Sequence, residues 1–205
     1  MSGITLLSVN RGRPGTVAPR GRPEATGIFK EPVAGPVAIG TAGLEGDIIV
    51  STRHHGGPDQ ALYLYSAADY AWWSAELSRP LAPGSFGENL TLSGWWSAEP
   101  RIGDRLRVGE VELQVSSARI PCATLAARMG DPGFVKRFAR ARRPGCYARV
   151  LAGGRVEAGE TVTLLESRPE HPTVNEIFDQ WYLEDRDPQV LRRLLQAPLA
   201  ERAAG

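Results

Sequence analysis

A cysteine close to an arginine is the most chemically suggestive feature of this chain. Cys122 directly follows Pro121, whose ring fixes the backbone φ angle, and Arg119 lies three residues before the cysteine. A nearby guanidinium favours the thiolate, which is the form of cysteine that binds metals and attacks electrophiles. Cys122 is therefore a candidate catalytic or metal-ligating residue, and the alternative is a buried cysteine without a chemical role.

A pair of histidines is the second candidate. His54 and His55 directly precede a Gly-Gly-Pro-Asp stretch at residues 56–59. In an extended segment, neighbouring side chains point to opposite faces, so the two imidazoles cannot readily bind one ion and a zinc site is not favoured. The glycines are consistent with backbone that closely approaches a ligand, and the alternative is a histidine that hydrogen-bonds within a turn.

Two polar residues stand among apolar ones at positions 86–90. Glu88 and Asn89 are flanked by Phe86 and Leu90. Burying either side chain without a partner would be costly, so the two either hold loops together or face a polar ligand. The first alternative is slightly favoured by the sequence.

Basic residues are concentrated at positions 136–143. The chain as a whole has 24 Lys and Arg against 23 Asp and Glu, a net charge of +1, which does not favour nucleic-acid binding. Such a run is typical of a solvated helix face, and a small phosphate-bearing ligand is the alternative. The basic residues are Lys136, Arg137, Arg140, Arg142 and Arg143.

Length and composition predict one folded domain with an appendage. Of the 205 residues, 42% are hydrophobic and 23% charged. No apolar run approaches the ~20 residues that cross a bilayer, so no membrane association is expected. The two cysteines, Cys122 and Cys146, form neither a C-x-x-C pair nor a disulfide framework, and residues 4–9 are too short for a signal-peptide core. We therefore expect a reducing, cytoplasmic location.

Short apolar alternations bounded by Gly, Pro or Asp predict a β-rich fold. Gly109-Glu110 fits a tight hairpin turn because glycine tolerates a positive φ, and a second hairpin is predicted around residues 152–154. Residues 10–27, with four arginines among glycines and prolines, are predicted to form a basic loop that is either solvated or in contact with a phosphate. The predicted strands are 4–9, 37–39, 48–50, 61–65, 89–92, 105–108, 111–116 and 160–165.

Helical periodicity begins after a capping residue at Ser66. Tyr70, Trp73 and Leu77 recur on one face of the predicted helix, which is expected to be a core face, and Pro80 closes the segment. Two more helices are predicted over residues 122–129 and 131–141, the second with Asp131 as its cap and a proline in its first turn.

The character of the sequence changes after residue 169. Thr173 and Glu176 form a capping box, Asp187 with the following proline begins a helix through residue 196, and residues 199–203 predict a third short helix. These patterns place a β-rich domain at residues 1–169 and a short helical tail at residues 170–205.

In this order, the motifs resemble those of the MOSC domain, the C-terminal domain of molybdenum cofactor sulfurases, and specifically its YiiM-like branch. The resemblance covers nearly the whole chain. Each motif alone is weak, but together they are hard to obtain by chance. The motifs are G-x-x-G-D at 43–47, H-G-G-P-D at 55–59, F-G-E-N-L at 86–90, G-D at 103–104, R-x-P-C at 119–122 and G-x-Y at 145–147.

The resemblance implies a mainly β fold with α elements (α+β), a MOSC-type β-barrel-like domain whose tail is similar to a truncated three-helix segment. It implies a molybdopterin-type molybdenum cofactor with the metal bound by Cys122, and the reduction of N-hydroxylated compounds, such as hydroxylaminopurines or amidoximes, to amines. Electrons would come from a separate flavoprotein or iron–sulfur donor, because the sequence has no flavin motif and no ferredoxin cysteines. Whether the chain forms a homodimer is left open.

The resemblance also suggests roles for individual residues. His55 is expected to donate protons or to support the metal's surroundings. Cys146 departs from the family pattern, so the resemblance gives it no role, and we expect it to be structural. Charge, and not the motifs, makes Arg119, Arg137 and Arg143 candidates for holding the cofactor's phosphate. The motifs add Asp59, Glu88 and Asn89 as further cofactor-binding candidates.

Two rival functions use the same residues. In the first, Cys122 carries a persulfide received from a desulfurase that depends on pyridoxal phosphate, an association known from cofactor sulfurases; this requires an exposed thiol and no pocket. In the second, the chain binds a pterin or nucleotide without turnover.

Overall fold

The computed structural model describes residues 3–50, 55–95 and 99–200. The strands are β1 (Ile4–Val17), β2 (Glu24–Pro32), β3 (Val37–Gly40), β4 (Gly43–Leu44), β5 (Leu62–Ser66), β6 (Leu90–Ser93), β7 (Arg105–Val108), β8 (Val111–Ala118), β9 (Cys146–Ala152), β10 (Gly154–Val156) and β11 (Thr161–Glu166). The helices are α1 (Ala67–Glu76), α2 (Ala123–Met129), α3 (Phe134–Ala141), α4 (Val174–Gln180) and α5 (Pro188–Leu194), with short 3-10 turns at Pro19–Gly21 and Pro58–Gln60.

Seven strands close into a mixed barrel, which confirms the predicted β-barrel-like fold. The strand order is β11-β7-β8-β9-β5-β6-β1, and β1 pairs with β11 to complete the ring. The β5–β6 pair is parallel and the other pairs in the ring are antiparallel. β2 extends outward from β1, and β3, β4 and β10 form a separate small sheet.

The predicted basic loop at residues 10–27 is wrong, because the chain there forms a long β1–β2 hairpin. The pairing runs from Asn10 opposite Pro32 to Val17 opposite Glu24. The glycines that suggested a loop instead make room for the partner strand. A Cβ on Gly12 would lie 2.5 Å from the Gly27 carbonyl oxygen. Long-range pairing therefore overrides the local turn composition.

Two further strand predictions are also wrong. Residues 48–50 have no strand partner, and they cross the β1–β2 hairpin instead. The hairpin predicted around residues 152–154 does not form, because β10 pairs with β3 while β9 pairs with β5 and β8. Gly153 marks the change of sheet, and a Cβ there would lie 2.7 Å from the Ile39 carbonyl oxygen.

Predictions that rest on local hydrogen bonding are confirmed. The Ser66 side chain caps α1 by accepting from the Ala68 N–H, and Gly109 has a φ of 54° in the β7–β8 turn. Thr173 and Glu176 make the reciprocal capping box of α4.

Other helix boundaries shift from those predicted. α3 begins at Phe134, since Asp131 caps a preceding turn by accepting from the Gly133 N–H. α5 begins after Asp187, as predicted, and ends at Leu194. The predicted third tail helix is absent at residues 199–200, and its remainder lies outside the described residues.

An aromatic cluster fills the space between α1, α3 and the barrel, as the helix periodicity predicted. Trp73 is completely buried, donates its indole N–H to the Tyr65 hydroxyl at 2.8 Å and packs against Phe134 and Phe138. Phe178 of α4 is also completely buried and contacts Phe138, so the first tail helix packs on this same core. Within the described residues, no helix is long and apolar enough to span a membrane.

Candidate functional site

A cavity of about 330 Å³ opens between the β1–β2 hairpin and the N-terminal end of α2. Its walls are residues 24–28 of β2, the crossing segment 48–50, residues 55–56 and 60–61, and the start of α2. This volume lies at the lower end of the range of about 300–1,000 Å³ that is usual for small-molecule sites. Four predicted site residues line it, namely His55, Asn89, Arg119 and Cys122.

The crossing segment can close the cavity only because Gly27 has no side chain. A Cβ at this position would lie 1.7 Å from the Ile48 carbonyl oxygen, far inside van der Waals contact. The two backbones therefore touch, and Ile48 and Ile49 form an apolar wall above β2.

Cys122 lies in the wall of the cavity, at the residue that precedes the first turn of α2. It is half-buried and unpaired with Cys146, which is completely buried in β9. Burial opposes ionisation of the Cys122 thiol. A hydrogen bond to His55, the charge of Arg119 and the Leu125 N–H outweigh burial and lower the pKa of Cys122 to about 5. The thiolate is therefore the dominant form at neutral pH.

Arg119 supplies the positive charge beside this sulfur. Its guanidinium is 4.0 Å from the Cys122 Sγ, donates to the Ile120 carbonyl oxygen at 2.8 Å and stacks over the Tyr63 ring. The residue is only 4% exposed. Burial alone would lower the pKa of Arg119, but the neighbouring Tyr147 and Cys122 raise it, so the guanidinium stays charged.

His55 connects Cys122 with a second titratable group. Its Nδ1 is 3.3 Å from the hydroxyl oxygen of Tyr147, and the side chain also hydrogen-bonds to Cys122. Burial raises the pKa of Tyr147, so its hydroxyl keeps its proton at neutral pH. The three side chains line one wall of the cavity, with His55 in contact with Tyr147 and close enough to Cys122 to stabilise its thiolate. An imidazole in this position can carry a proton toward a ligand near the sulfur.

The cavity floor is formed by Lys30 and Asn89, with Asp47 behind them. Lys30 Nζ donates to Asp47 Oδ2 at 2.5 Å, and the Asn89 side-chain amide donates to the same oxygen at 2.9 Å. The other oxygen of Asp47 accepts from the Gly12 N–H at 2.7 Å. Lys30 and Asp47 thus form an ion pair that is almost entirely buried.

Glu88 holds loops together and does not line the cavity. Its Oε1 accepts from the Tyr70 hydroxyl, the Gly84 N–H and the Thr91 hydroxyl at 2.6–2.8 Å. Burial raises the pKa of Glu88 despite these donors. The structure therefore places Glu88 in the role that the sequence slightly favoured, whereas Asn89 both ties strands together and faces the cavity.

Three other candidates lie away from the cavity. Asp59 accepts from the Arg149 guanidinium at 2.8–2.9 Å and so ties the Pro58–Gln60 turn to β9. Arg137 is on the exposed face of α3, with its Nε 3.7 Å from Asp131. Arg143 pairs with buried Asp69 at 2.6 Å and stacks over Trp72. The structure does not bring these three residues to Cys122.

Sequence reasoning missed two charged or polar residues of the site. Lys30 was overlooked because no element was predicted around it. Tyr147 belongs to the G-x-Y motif, which by itself indicates no role for its side chain. A signal for Lys30 was present, since the chain has only two lysines, Lys30 and Lys136, among 24 basic residues.

The MOSC domain family matches residues 51–163, more than half of the chain. The chain belongs to the MOSC domain family. Within that family it is a YiiM-like protein. Protein YiiM of Escherichia coli is 34% identical over 188 residues, which cover 89% of this chain and 82% of that protein. The uncharacterized protein YflK of Bacillus subtilis is 40% identical over 161 residues, 78% of this chain and 73% of YflK.

Solved structures agree with this assignment. The crystal structure of YiiM from Geobacillus stearothermophilus matches with a TM-score of 0.80 and 29% identity, covering 98% of this chain and 95% of that chain. YiiM from E. coli matches with a TM-score of 0.73 and 28% identity, over 98% and 87% of the two chains. A protein named Reductase from Gibberella moniliformis is 37% identical over 145 residues, 68% of this chain but only 25% of that protein.

Proposed function

We propose that this protein is a molybdenum-cofactor-dependent reductase of N-hydroxylated compounds, with Cys122 as the protein ligand of the metal. The single observation that carries the proposal is the Cys122 thiolate, placed in the wall of a cavity beside the buried cation of Arg119. Membership of the MOSC family supports the choice of cofactor, and the relative named Reductase supports an enzymatic role.

The donor set of the cavity fits a cofactor better than a bare ion. Among the described residues, no group of three or more His, Cys, Asp or Glu side chains could hold a metal by itself. A molybdenum centre that already carries two pterin sulfurs needs only one more soft ligand, and a thiolate suits it. When bound, the cofactor would supply two-electron oxygen-transfer chemistry that protein side chains do not offer.

The protein's own residues would bind and orient the cofactor and protonate the substrate. The Arg119 guanidinium would balance negative charge next to the sulfur, and the apolar wall of Ile48 and Ile49 would exclude water from one side of the ligand. Reduction of an N-hydroxylated substrate consumes two electrons and two protons and releases an amine and water. His55, whose Nδ1 is 3.3 Å from the Tyr147 hydroxyl, would deliver one proton to the leaving oxygen. Solvent would supply the second proton and reprotonate the imidazole.

The electrons would come from a separate flavoprotein or iron–sulfur protein. Each turnover needs two electrons, and among the described residues that line the cavity Cys122 is the only cysteine. Hydroxylaminopurines and amidoximes are the substrate types to screen first.

The sulfur-carrier function fits the geometry less well. A carrier needs a thiol that a partner enzyme can reach, whereas Cys122 is recessed in a cavity wall and hydrogen-bonded to His55. A non-catalytic pterin-binding module would use the same cavity but would have no need of a lowered thiol pKa.

The test is a reductase assay on protein made in a host that synthesises the cofactor. Chemically reduced methyl viologen replaces the unknown donor, and a hydroxylaminopurine and benzamidoxime are the substrates. We expect amine formation by the wild-type protein and none by Cys122→Ala. Equal activity of the two proteins, or no activity in a wild-type sample that carries molybdenum, would contradict the proposal.

A further inference from the structure

The floor of the cavity carries a buried cation to which the proposed function gives no role. Lys30 is 8% exposed and lines the cavity on the β2 side, whereas Cys122 lies on the α2 side. Burying an ammonium is costly unless each donor finds an acceptor. The contacts of Lys30 therefore show whether it is only structural.

Lys30 has donors left over after its ion pair. An ammonium group has three N–H donors, and Asp47 Oδ2 takes one of them. Asp47 also accepts from Asn89 and from the Gly12 N–H, so both of its oxygens already have other donors. Among the described residues, no second acceptor lies within hydrogen-bonding distance of Lys30 Nζ. Its remaining donors are available to a ligand in the cavity.

The neighbours of Lys30 favour an anionic ligand. Thr26 lies on the same wall of β2, and its hydroxyl oxygen accepts from the Ile28 N–H, which leaves the hydroxyl hydrogen free to donate. Arg119 adds a second buried cation to the cavity and is close enough to act electrostatically on Lys30. Burial lowers the pKa of Lys30, while Asp47 and Glu88 counteract this by stabilising the charged form.

The choice of lysine at position 30 supports a specific role for an ammonium group there. This chain uses arginine for nearly all its cations, and Lys136, the other lysine, is exposed on α3. A lysine ammonium is a compact point charge that can contact a phosphate oxygen.

We propose that Lys30, assisted by Thr26, forms a phosphate-binding subsite on the cavity floor, which takes the phosphate monoester of a ligand held at Cys122. The phosphate belongs either to the cofactor or to a nucleotide substrate. This choice of source rests on the proposed function, whereas the subsite itself does not.

The first experiment is calorimetric titration of inorganic phosphate into protein from a host that cannot make the cofactor. The variant is Lys30→Met combined with Asp47→Asn, so that no buried carboxylate is left without its cation. The matched control is Lys136→Met, the same change on the exposed lysine. We expect the double variant to bind phosphate at least about tenfold more weakly, and the control to bind as the wild type does. Equal binding by all three proteins, or none by the wild type, overturns the proposal.

Folding is checked by thermal unfolding of each protein. If the double variant does not fold, Lys30→Gln takes its place, because it keeps a donor toward Asp47 while removing the charge. The same tenfold loss is expected, and unchanged binding would again overturn the subsite.

The source of the phosphate is decided on cofactor-loaded protein. If the cofactor supplies the phosphate, the molybdenum content of the Lys30 variant falls by at least about fivefold. If a nucleotide substrate supplies it, molybdenum content is unchanged and KM rises about tenfold for a hydroxylaminopurine nucleotide but not for the free base. If the wild-type protein binds phosphate through Lys30 but carries no molybdenum, the subsite is supported and the proposed function is contradicted.

Discussion

Arg119 and Cys122 are held 4.0 Å apart, guanidinium to sulfur, in the short segment that joins the end of β8 to the start of α2. The arginine is buried and anchored by its own hydrogen bond to the Ile120 carbonyl oxygen, so the charge cannot swing away from the sulfur. His55 lowers the pKa of Cys122 most, and this arginine lowers it further, so that Cys122 is a thiolate before any ligand arrives. Several consequences can be measured.

The first consequence is the pH dependence of thiol alkylation in metal-free protein. Because the pKa of Cys122 is about 5, the thiolate is present above that pH and is lost as the pH falls through it. We expect the iodoacetamide rate to be constant from about pH 6 to about pH 8 and half-maximal near pH 5. Cys122→Ala serves as the control and should show no fast labelling, since burial raises the pKa of Cys146. A midpoint near the ordinary value of about 8.5 would contradict the geometry.

Removal of the His55 imidazole should shift this midpoint upward. The hydrogen bond from His55 is the largest influence that lowers the pKa of Cys122. We expect His55→Ala to raise the alkylation midpoint, whereas Tyr147→Phe, which leaves the sulfur's own partners in place, should change it much less. In the loaded enzyme, His55→Ala should also lower kcat by about 100-fold or more, as loss of a general acid does. An unchanged midpoint in His55→Ala would remove His55 from the site.

Two arginines can be compared for their effect on cofactor retention. Arg119 lines the cavity, while Arg137 lies on the exposed face of α3. Arg119→Met should lower the molybdenum content by about tenfold or more, because it removes a buried charge-assisted contact. Arg137→Met should retain the wild-type content. If Arg137→Met lost molybdenum and Arg119→Met retained it, the cofactor would lie on the α3 surface and not in the cavity.

The cavity wall can be tested through Gly27. A Cβ at this position would overlap the Ile48 carbonyl oxygen, so Gly27→Ala must push the crossing segment away from β2. We expect a loss of about 1–3 kcal/mol in the free energy of unfolding, measured by urea denaturation. Gly40→Ala is the matched control, since a Cβ there meets nothing within 4 Å, and it should change stability by less than about 0.5 kcal/mol. Equal effects of the two substitutions would show that the backbones are not in contact.

The sequence predicted those parts of the fold that depend on neighbouring residues. The Ser66 cap, the Gly109 turn and the Thr173 capping box each need a hydrogen bond or φ angle within a few residues, and all three are present. The β1–β2 hairpin was not predicted, because its glycines are required by close contacts with residues on the partner strand. Gly15, for example, makes room for the Phe29 ring, which a composition of Gly, Arg and Pro does not reveal.

The candidate site, like the fold, was predicted from the sequence only in part. Cys122, Arg119 and His55 were identified from motif and charge, and the fold brings them together. Arg143 was selected because it belongs to a basic run, but charge in a sequence does not show which way a side chain faces, and Arg143 turns to Asp69. Lys30 shows the converse, since only tertiary structure reveals that one lysine is buried beneath a cavity.

The central claim is that Cys122 binds the metal of a molybdenum cofactor, and elemental analysis tests it most directly. Wild type, Cys122→Ala and Cys146→Ala are purified from a host that makes the cofactor, and molybdenum is measured per chain. The account predicts about one molybdenum per chain in the wild type and in Cys146→Ala, and none in Cys122→Ala. Molybdenum at wild-type levels in folded Cys122→Ala, or none in the wild type, would contradict it.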